Sequence, residues 1–162
     1  ISKADIAIMT AAFANLGWNK SSWLFQKYLD EQTNNRRCVW VAYKEDIFVG
    51  YVTLKLHSDY ANFNLLHIPE INDLNVLPVF RKCGIASKLL DLAEDEASGR
   101  GFKQLGLGVG LTPDYGAAQR LYVKRGYIPD GQGITYNNRQ LMYGETVKLD
   151  DDLVLWLIKS LP

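Results

Sequence analysis

The residues of this sequence best suited to bind an anion lie together in one turn, Arg81, Lys82, Cys83, Gly84, Ile85 and Ala86. Two cations stand where a helix is expected to begin, and the first turn of a helix offers unpaired N–H groups and the positive end of the helix dipole. Gly84 and Ala86 are small enough to let a phosphate approach the backbone. The turn predicts a phosphate or pyrophosphate site, and the alternative is an ordinary strand–turn–helix junction with solvated cations.

Two motifs around this turn follow each other in order along the chain. The first joins the pattern Leu-x-Val-x-Pro, ending at Pro78, to Arg81-x-x-Gly84-x-Ala86, and the second is Ala-x-x-Leu-Tyr-x-x-x-Gly-Tyr at 118–127. With a strand between them, they resemble the acyl-CoA pyrophosphate loop and the later helix of the GNAT superfamily of N-acetyltransferases. The resemblance extends from Arg37 to Leu161 and is weakest before Arg37.

The resemblance implies a single domain over residues 1–162 with a mixed α/β fold. A central, mostly antiparallel sheet with one splayed parallel pair would be flanked by helices. Acetyl-CoA would be the cosubstrate, without a metal, and the acetyl group would pass directly to an amine. The pyrophosphate would bind at Arg81–Ala86, and a backbone N–H near Leu74 would polarise the thioester carbonyl. The pantetheine arm would lie along the main chain of Leu74, Asn75 and Val76.

Acyl transfer to an amine also needs a group that removes a proton. Deprotonating an amine with a pKa near 10.4 costs about 4–5 kcal/mol of free energy at pH 7. A general base, or a water chain leading to one, lowers this barrier. Glu70 lies eleven residues before Arg81, where many superfamily members carry a glutamate base. Asp73 is the rival candidate, but two residues three apart on a strand point to opposite faces and cannot act as a pair. A strand-edge charge is the alternative role for Glu70.

The departing thiolate needs a proton donor, and Tyr122 matches the tyrosine that supplies it in the superfamily. A phenol has an ordinary pKa near 10, above the value near 8.5 of a thiol, so it stays protonated and can donate. The alternative is a tyrosine on the apolar face of a helix. Seven residues earlier, where many members have an asparagine that contacts the CoA arm, this chain has Tyr115, and no role is carried over there.

Composition excludes several other classes of function. Lys plus Arg and Asp plus Glu each number 18, and this zero net charge gives no general attraction to nucleic acid or to an anionic membrane. Cys38 and Cys83 do not make a disulfide framework, and His57 and His67 form no metal-ligand set. With no secretory or membrane-spanning pattern, we expect a cytoplasmic protein. The chain starts at Ile1, so the strand that usually opens the superfamily fold would be cut short or absent.

Hydrophobic spacing predicts the element order ααβββαβαββ. A capping box at Ser2 and Asp5 starts the first helix, a second helix starts at Ser21 or Ser22, and strands at 37–43 and 47–56 form a hairpin. Residues 57–66 read as a loop. The helix after the anion-binding turn is expected to bury one face, and strands at 127–136 and 153–158 complete the sheet. The predicted buried face of that helix is Ile85, Leu89, Leu92 and Ala93.

Glycine alternates with Leu or Val from Gln104 to Leu111. With period two, Gly106, Gly108 and Gly110 form a bare strand face, which usually marks close approach by a ligand or another backbone. In the superfamily the pantetheine arm lies in the opening of the splayed strands. Tight packing against a helix is the alternative reading of this run.

The acceptor is a small-molecule or peptide amine that the sequence does not identify, and the superfamily also implies that a homodimer can form. Three aromatic residues, Trp18, Trp23 and Phe25, are candidates for lining the acceptor site, although core packing on amphipathic helices is the favoured reading. Asp150, Asp151 and Asp152 form an acidic run that could attract a cationic amine or be a solvated turn.

Two other functions remain open at this level. A non-catalytic acyl-CoA-binding or sensing module would have the same fold, and Tyr115 keeps that reading open. A nucleotide phosphate-binding protein unrelated to CoA would bind ATP, and the glycine-faced strand argues against it. We also expect that alkylating Cys83 hinders CoA binding.

Overall fold

The computed structural model describes all residues, 1–162. Its strands form a seven-stranded mixed sheet in the order β1-β2-β3-β4-β7-β5-β6, accompanied by helices. The strands are β1 Arg37–Lys44, β2 Ile47–Lys55, β3 Glu70–Val76, β4 Gln104–Gly110, β5 Ile128–Tyr136, β6 Arg139–Gln140 and β7 Leu153–Ser160. The helices are α1 Lys3–Ala14, α2 Ser22–Thr33, α3 Ala61–Leu65, α4 Ile85–Gly99 and α5 Gly116–Lys124, and short 3₁₀ turns span Pro78–Phe80 and Pro113–Tyr115.

The β3–β4 pair is parallel, whereas β1–β2, β4–β7, β5–β7 and β5–β6 are antiparallel. The register of the parallel β3–β4 pair has only two residue pairs, Glu70 with Gly106 and Ile71 with Leu107, although β3 continues to Val76 and β4 to Gly110. This short pairing is what the expected splayed pair requires, and it confirms the predicted mixed fold.

Contacts along the chain group it into two compact units. The first comprises Ile1–Leu56 and Asn72–Asp95, and the second comprises His57–Ile71 and Glu96–Pro162. The first unit has an aromatic core in which the Phe13 ring contacts the rings of Phe25, Phe48 and Tyr51 at centroid distances of 5.7–6.0 Å. Edge-to-face and offset ring pairs of this kind stabilise a core beyond their buried area.

The start of α1 and the β1–β2 hairpin follow the sequence prediction closely. The Ser2 backbone N–H and hydroxyl donate to the Asp5 carboxylate at 2.6 and 2.8 Å, which forms the predicted capping contact. Glu45 and Asp46 adopt positive φ angles of 50° and 63°. Two such residues in a row are what a tight two-residue hairpin turn requires.

The second unit is built on the β4–β7–β5 pairing and an aromatic stack. Tyr60 lies flat on Trp156, with centroids 4.2 Å apart and planes 3° apart, and Phe63 meets Trp156 edge-on at 5.2 Å. Phe63 belongs to α3, so the prediction of a loop over 57–66 is wrong in part: Asn62, Phe63 and the residues around them form a five-residue helix. In β5 the register shifts between Pro129 and Ile134, a stretch that contains Gly131 and Gly133.

The buried face of α4 differs from its prediction at one position. Leu89, Ala93 and Ala97 are buried as one stripe, but Leu92 is 45% exposed and Leu90 is fully buried in its place. The stripe therefore follows the spacing 89, 90, 93, 97, which is also compatible with a helical period of 3.6 residues. No helix of the protein combines the length and the apolar character needed to cross a bilayer.

Candidate active site

The predicted pyrophosphate loop lies where expected, immediately before α4. Arg81 to Gly84 are exposed, and α4 begins at Ile85. Lys82 and Gly84 have φ angles of 62° and 78°, and a Cβ added to Gly84 would meet no atom within 4 Å. Left-handed residues in such a turn orient backbone N–H groups around a concavity that suits an anion. Open space above the backbone at the start of a 15-residue helix is compatible with the predicted phosphate site.

Arg81 is held by two contacts of its own. Its Nε donates to the Val76 carbonyl oxygen at 3.2 Å, and its guanidinium lies 5.7 Å from the centroid of the Trp18 ring. These contacts fix a positive charge beside the loop while the residue as a whole stays exposed. Cys83 is also exposed, and its thiol lies 3.5 Å from the Arg81 carbonyl oxygen.

The predicted pantetheine-binding residues form the last part of β3, in the first unit with the loop. Leu74 and Asn75 are half-buried, and Val76 is buried. This segment passes close to β2, because a Cβ added to Gly50 would stand 2.5 Å from the Asn75 carbonyl oxygen. The Leu77 N–H donates to the Val49 carbonyl oxygen at 2.9 Å and anchors the end of the segment.

Asp73, the rival base, stands at the centre of a hydrogen-bond cluster. Lys20 Nζ and Asn75 Nδ2 donate to its Oδ1 at 2.6 and 2.5 Å, and the hydroxyls of Tyr28 and Tyr51 donate to its Oδ2. Burial, and then the Asp73 carboxylate, raise the pKa of Tyr28 and of Tyr51. Both carboxylate oxygens are thus occupied by donors, which argues against Asp73 as a proton acceptor.

The strand alternation used to separate Glu70 from Asp73 is interrupted at Asp73, whose φ is 69°. A left-handed residue inside a strand breaks the period of two. The two carboxylates nevertheless meet different partners, since Glu70 contacts Ser58 and Asp73 contacts the lysine and tyrosines described above. They do not form a pair.

Glu70 opens β3 in the second unit and is 5% exposed. Ser58, itself 1% exposed, donates its hydroxyl to Glu70 Oε2 at 2.5 Å and accepts the Tyr60 N–H at 3.0 Å. The backbone of Glu70 is in register with Gly106 of β4. A buried carboxylate held by a hydroxyl is suited to take part in proton transfer from a fixed position. Sequence reasoning missed Ser58, because it lies in a stretch without a motif.

Tyr122, the predicted proton donor, lies on α5 in the second unit and is 7% exposed. Its ring meets the Tyr127 ring at a centroid distance of 6.0 Å and an interplanar angle of 63°. Both tyrosines belong to the second motif. Their contact explains why the motif places an aromatic residue just after the glycine that ends the helix.

Tyr115, at the position of the family asparagine, packs its ring where a Cβ on Gly110 would stand, 2.5 Å from the nearest ring atom. Its hydroxyl donates to Asp151 Oδ1 at 3.0 Å. Gln119 Nε2 donates to the Gly110 carbonyl oxygen at 2.8 Å. Tyr115 therefore packs against β4 through its ring and binds the acidic run through its hydroxyl, which is a structural role.

Two of the three glycines on the bare face of β4, Gly106 and Gly110, are buried against aromatic side chains, whereas Gly108 is exposed. A Cβ on Gly106 would stand 2.1 Å from the Phe63 ring, and one on Gly108 would stand 2.7 Å from Val154. Both contacts are closer than real Cβ atoms tolerate. Gly106 thus packs against helix α3, as the packing alternative predicts, while the neighbours of Gly108 belong to strand β7.

The aromatic and acidic candidates for the acceptor site separate into different environments. Phe25 is fully buried in the core, and Trp18 packs on Phe13 at a centroid distance of 5.7 Å. Trp23 is 70% exposed and is the one of the three that is not part of the core packing. In the acidic run, Asp150 Oδ1 accepts the Asp152 N–H at 3.1 Å within the turn, and Asp150 Oδ2 accepts the Tyr136 hydroxyl of β5 at 3.0 Å. No group of three or more His, Cys, Asp or Glu residues is placed to hold a metal ion.

Comparison with known proteins identifies a family whose sequence model covers the candidate site residues. The sequence model of the acetyltransferase (GNAT) family matches residues 8–127, which include the β3 segment, the loop before α4 and Tyr122. A search of curated proteins returned no match.

Solved structures show the same fold at low sequence identity. An N-acetyltransferase from Staphylococcus aureus Mu50 has a TM-score of 0.74 at 19% identity, covering 100% of this chain and 96% of that one. A ribosomal-protein-alanine N-acetyltransferase from Brucella melitensis has a TM-score of 0.73 at 20% identity, covering 99% and 97%. An aminoglycoside 6'-N-acetyltransferase complexed with coenzyme A has a TM-score of 0.65 at 19% identity, covering 98% and 92%.

Proposed function

Because the chain belongs to the acetyltransferase (GNAT) family, whose members are acetyl-CoA-dependent acyltransferases, we propose that it moves an acetyl group from acetyl-CoA directly to a primary amine. The observation that carries the proposal is the exposed loop at the start of α4, with its left-handed Lys82 and Gly84. We further propose that residues 1–162 act as one catalytic domain of a cytoplasmic protein, able to form a homodimer and needing neither a metal, a nucleic acid nor a membrane.

The cofactor is proposed to bind to two regions of the first unit. The pyrophosphate takes the N–H groups of the loop and the charges of Arg81 and Lys82. The pantetheine arm follows the main chain of Leu74, Asn75 and Val76, and an N–H near Leu74 polarises the thioester carbonyl. The exposure of the loop and the partial burial of Leu74 and Asn75 support this arrangement.

The chemical step is proposed to use Glu70 and Tyr122. Glu70, directly or through water, takes a proton from the acceptor ammonium, and the neutral nitrogen forms a bond to the thioester carbonyl carbon. The carbon–sulfur bond then breaks, and Tyr122 gives its hydroxyl proton to the CoA thiolate. The nitrogen releases its remaining extra proton to water, which gives the amide, and the Tyr122 phenolate regains a proton from water. General acid–base catalysis of this kind contributes about 10²–10⁴ in rate. The burial of both side chains supports the assignment, since it fixes their positions.

The acceptor is proposed to be a small-molecule or peptide amine. The structural relatives named above include one that acts on an aminoglycoside and one that acts on a ribosomal-protein alanine. These two classes, together with a lysine peptide, make the first amines to test.

A second candidate function is an acyl-CoA-binding or sensing module without turnover. Tyr115 favours it, because it replaces the asparagine expected at the CoA arm and its hydroxyl is engaged by Asp151. Such a module would bind acetyl-CoA and release no thiol.

The experiment is an amine panel with thiol-release detection. We expect release with at least one amine, and a loss of about 10²-fold or more in kcat for Glu70→Gln and Tyr122→Phe. Glu96→Gln is the matched control, because Glu96 forms an exposed ion pair with Arg100 at 2.6 Å in the same unit. Thiol release that is equal in Glu70→Gln and Glu96→Gln would contradict the role of Glu70. Acetyl-CoA binding without release for any amine would favour the module.

A further inference from the structure

The strand that carries the proposed pantetheine-binding residues contains one residue in an unusual backbone conformation. Asp73 has a φ of 69°, whereas strand residues ordinarily have φ near −120°. For a residue other than glycine this region costs about 1–3 kcal/mol and persists only where surrounding contacts impose it. The residue directly precedes Leu74, Asn75 and Val76 in the chain.

The contacts that impose this conformation come from the three segments packed around Asp73. The Lys20 ammonium, from the segment between α1 and α2, Tyr28 of α2 and Tyr51 of β2 all donate to the Asp73 carboxylate. Asn75 donates from the same strand at 2.5 Å. The Lys20 ammonium is further held over the Tyr51 ring, at 5.8 Å from its centroid.

The neighbours of Asp73 are fixed as well. The Thr53 hydroxyl donates to the Asn72 carbonyl oxygen, and Arg37 Nη1 donates to Asn72 Oδ1 at 3.1 Å. On the other side, Gly50 lets the Asn75 carbonyl approach β2 more closely than any larger residue would. Side chains from distant parts of the sequence therefore determine the path of the main chain on both sides of Asp73.

We propose that Asp73 is a positioning residue: its carboxylate, bound by Lys20, Tyr28, Tyr51 and Asn75, holds the left-handed turn that aims the main chain of Leu74 and Asn75 at acetyl-CoA. The inference rests on the proposed function. It assigns Asp73 no contact with the acyl donor or the acceptor, because both of its oxygens are occupied by donors of the protein itself.

Substitutions at residue 73 separate a backbone role from a side-chain role. Glycine adopts positive φ without strain, whereas alanine does not. Both variants lose the carboxylate, and Asp73→Ala also disfavours the positive φ, so the affinity for acetyl-CoA, measured by calorimetry, should fall about tenfold in Asp73→Gly and about thirtyfold or more in Asp73→Ala. Equal losses in both variants, or no loss in either, would overturn the proposal.

A second pair of variants covers the case in which Asp73→Ala does not fold. Tyr51→Phe removes one donor to Asp73, and Tyr43→Phe removes a matched hydroxyl that donates to Asp5 Oδ1 at 2.6 Å in the same unit. Acetyl-CoA affinity should fall in Tyr51→Phe by about three- to tenfold and should be unchanged in Tyr43→Phe. Equal affinities in the two folded variants would overturn the proposal.

The wild-type titration separates failure of this inference from failure of the proposed function. A wild-type protein that binds neither acetyl-CoA nor CoA contradicts the proposed function and the inference with it. A wild-type protein that binds acetyl-CoA while Asp73→Ala binds it equally well contradicts the inference alone.

Discussion

Ser58 donates its hydroxyl to Glu70 Oε2 at 2.5 Å, and both side chains are buried. The serine also accepts the Tyr60 N–H, so its position is fixed by the backbone that precedes α3. A carboxylate with a fixed buried partner keeps one orientation, which a general base needs. This relationship connects a residue that no motif marks to the base proposed for the reaction.

Ser58→Ala should lower both stability and turnover. Removing a partner from a buried carboxylate costs about 1–3 kcal/mol of unfolding free energy. Since the orientation of Glu70 is lost as well, kcat should fall about tenfold, a part of the effect expected for a general base. Denaturant unfolding and the thiol-release assay measure the two effects.

Thr135→Val is the matched control for Ser58→Ala. Thr135 is as deeply buried, and its hydroxyl accepts the Trp156 Nε1–H at 2.8 Å in the same unit. The control should lose stability and keep its kcat when assayed as folded protein. A Ser58→Ala enzyme with the kcat of the control would contradict the role of Ser58.

Tyr122→Phe should lower kcat by about 10²-fold or more while leaving the acetyl-CoA dissociation constant within about twofold. The reason is that a proton donor to the leaving thiolate acts in the transition state and not in binding. Tyr127→Phe removes a buried phenol from the ring in contact with Tyr122 and serves as the control. Equal kcat values for the two variants would refute the assignment.

Alkylation of Cys83 should hinder acetyl-CoA binding, because the added group would stand in the loop that is proposed to hold the pyrophosphate. Cys83 is exposed, whereas Cys38 is half-buried. In a Cys38→Ser background, iodoacetamide modifies Cys83 alone, and mass spectrometry follows the reaction to completion. Full binding after complete modification would refute the prediction, and a Cys83→Ala protein treated in the same way should bind normally.

The stability of the first unit should fall above pH 10. Burial, followed by the Asp73 carboxylate, raises the pKa of Tyr28 above the usual value of 10.0. The folded protein then keeps the phenol protonated at a pH where the unfolded chain releases the proton. The contribution is complete below pH 10 and is lost as the pH rises from there towards the folded pKa, with a slope of up to about 1.4 kcal/mol per pH unit.

Tyr28→Phe should make the decline of unfolding free energy above pH 10 shallower by about that slope, as measured by denaturant unfolding from about pH 9 to 11. Tyr143→Phe, which removes a fully exposed phenol, is the control and should keep the wild-type slope. Identical slopes in the wild type and Tyr28→Phe would mean that Tyr28 does not keep its proton in the folded state.

Local patterns in the sequence were enough to predict the hairpin and the helix after the loop, whereas the family fold was predicted from the resemblance of two motifs. The capping residues Ser2 and Asp5 and the turn at Glu45 and Asp46 act within a few residues, so the sequence reports them directly. The buried face of α4 was predicted with one wrong position, because Leu90 and Leu92 are both apolar and helical spacing alone does not choose between them. Packing against the rest of the fold decided in favour of Leu90.

The features that the sequence did not predict depend on contacts between distant residues. Phe63, on a short helix expected to be a loop, covers Gly106, more than forty residues later in the chain. The positive φ of Asp73 is imposed by Lys20, Tyr28 and Tyr51, and nothing in its local sequence requires it. Ser58 likewise acquires its role only when β3 brings Glu70 to it.

The most direct test of the account is a calorimetric titration of the wild-type protein with acetyl-CoA, with ATP as the control ligand. We expect micromolar binding of acetyl-CoA and no comparable binding of ATP, because the loop before α4 and the main chain at 74–76 together would select the pyrophosphate and the pantetheine arm. Absence of acetyl-CoA binding by protein shown to be folded, or equal binding of ATP, would contradict it.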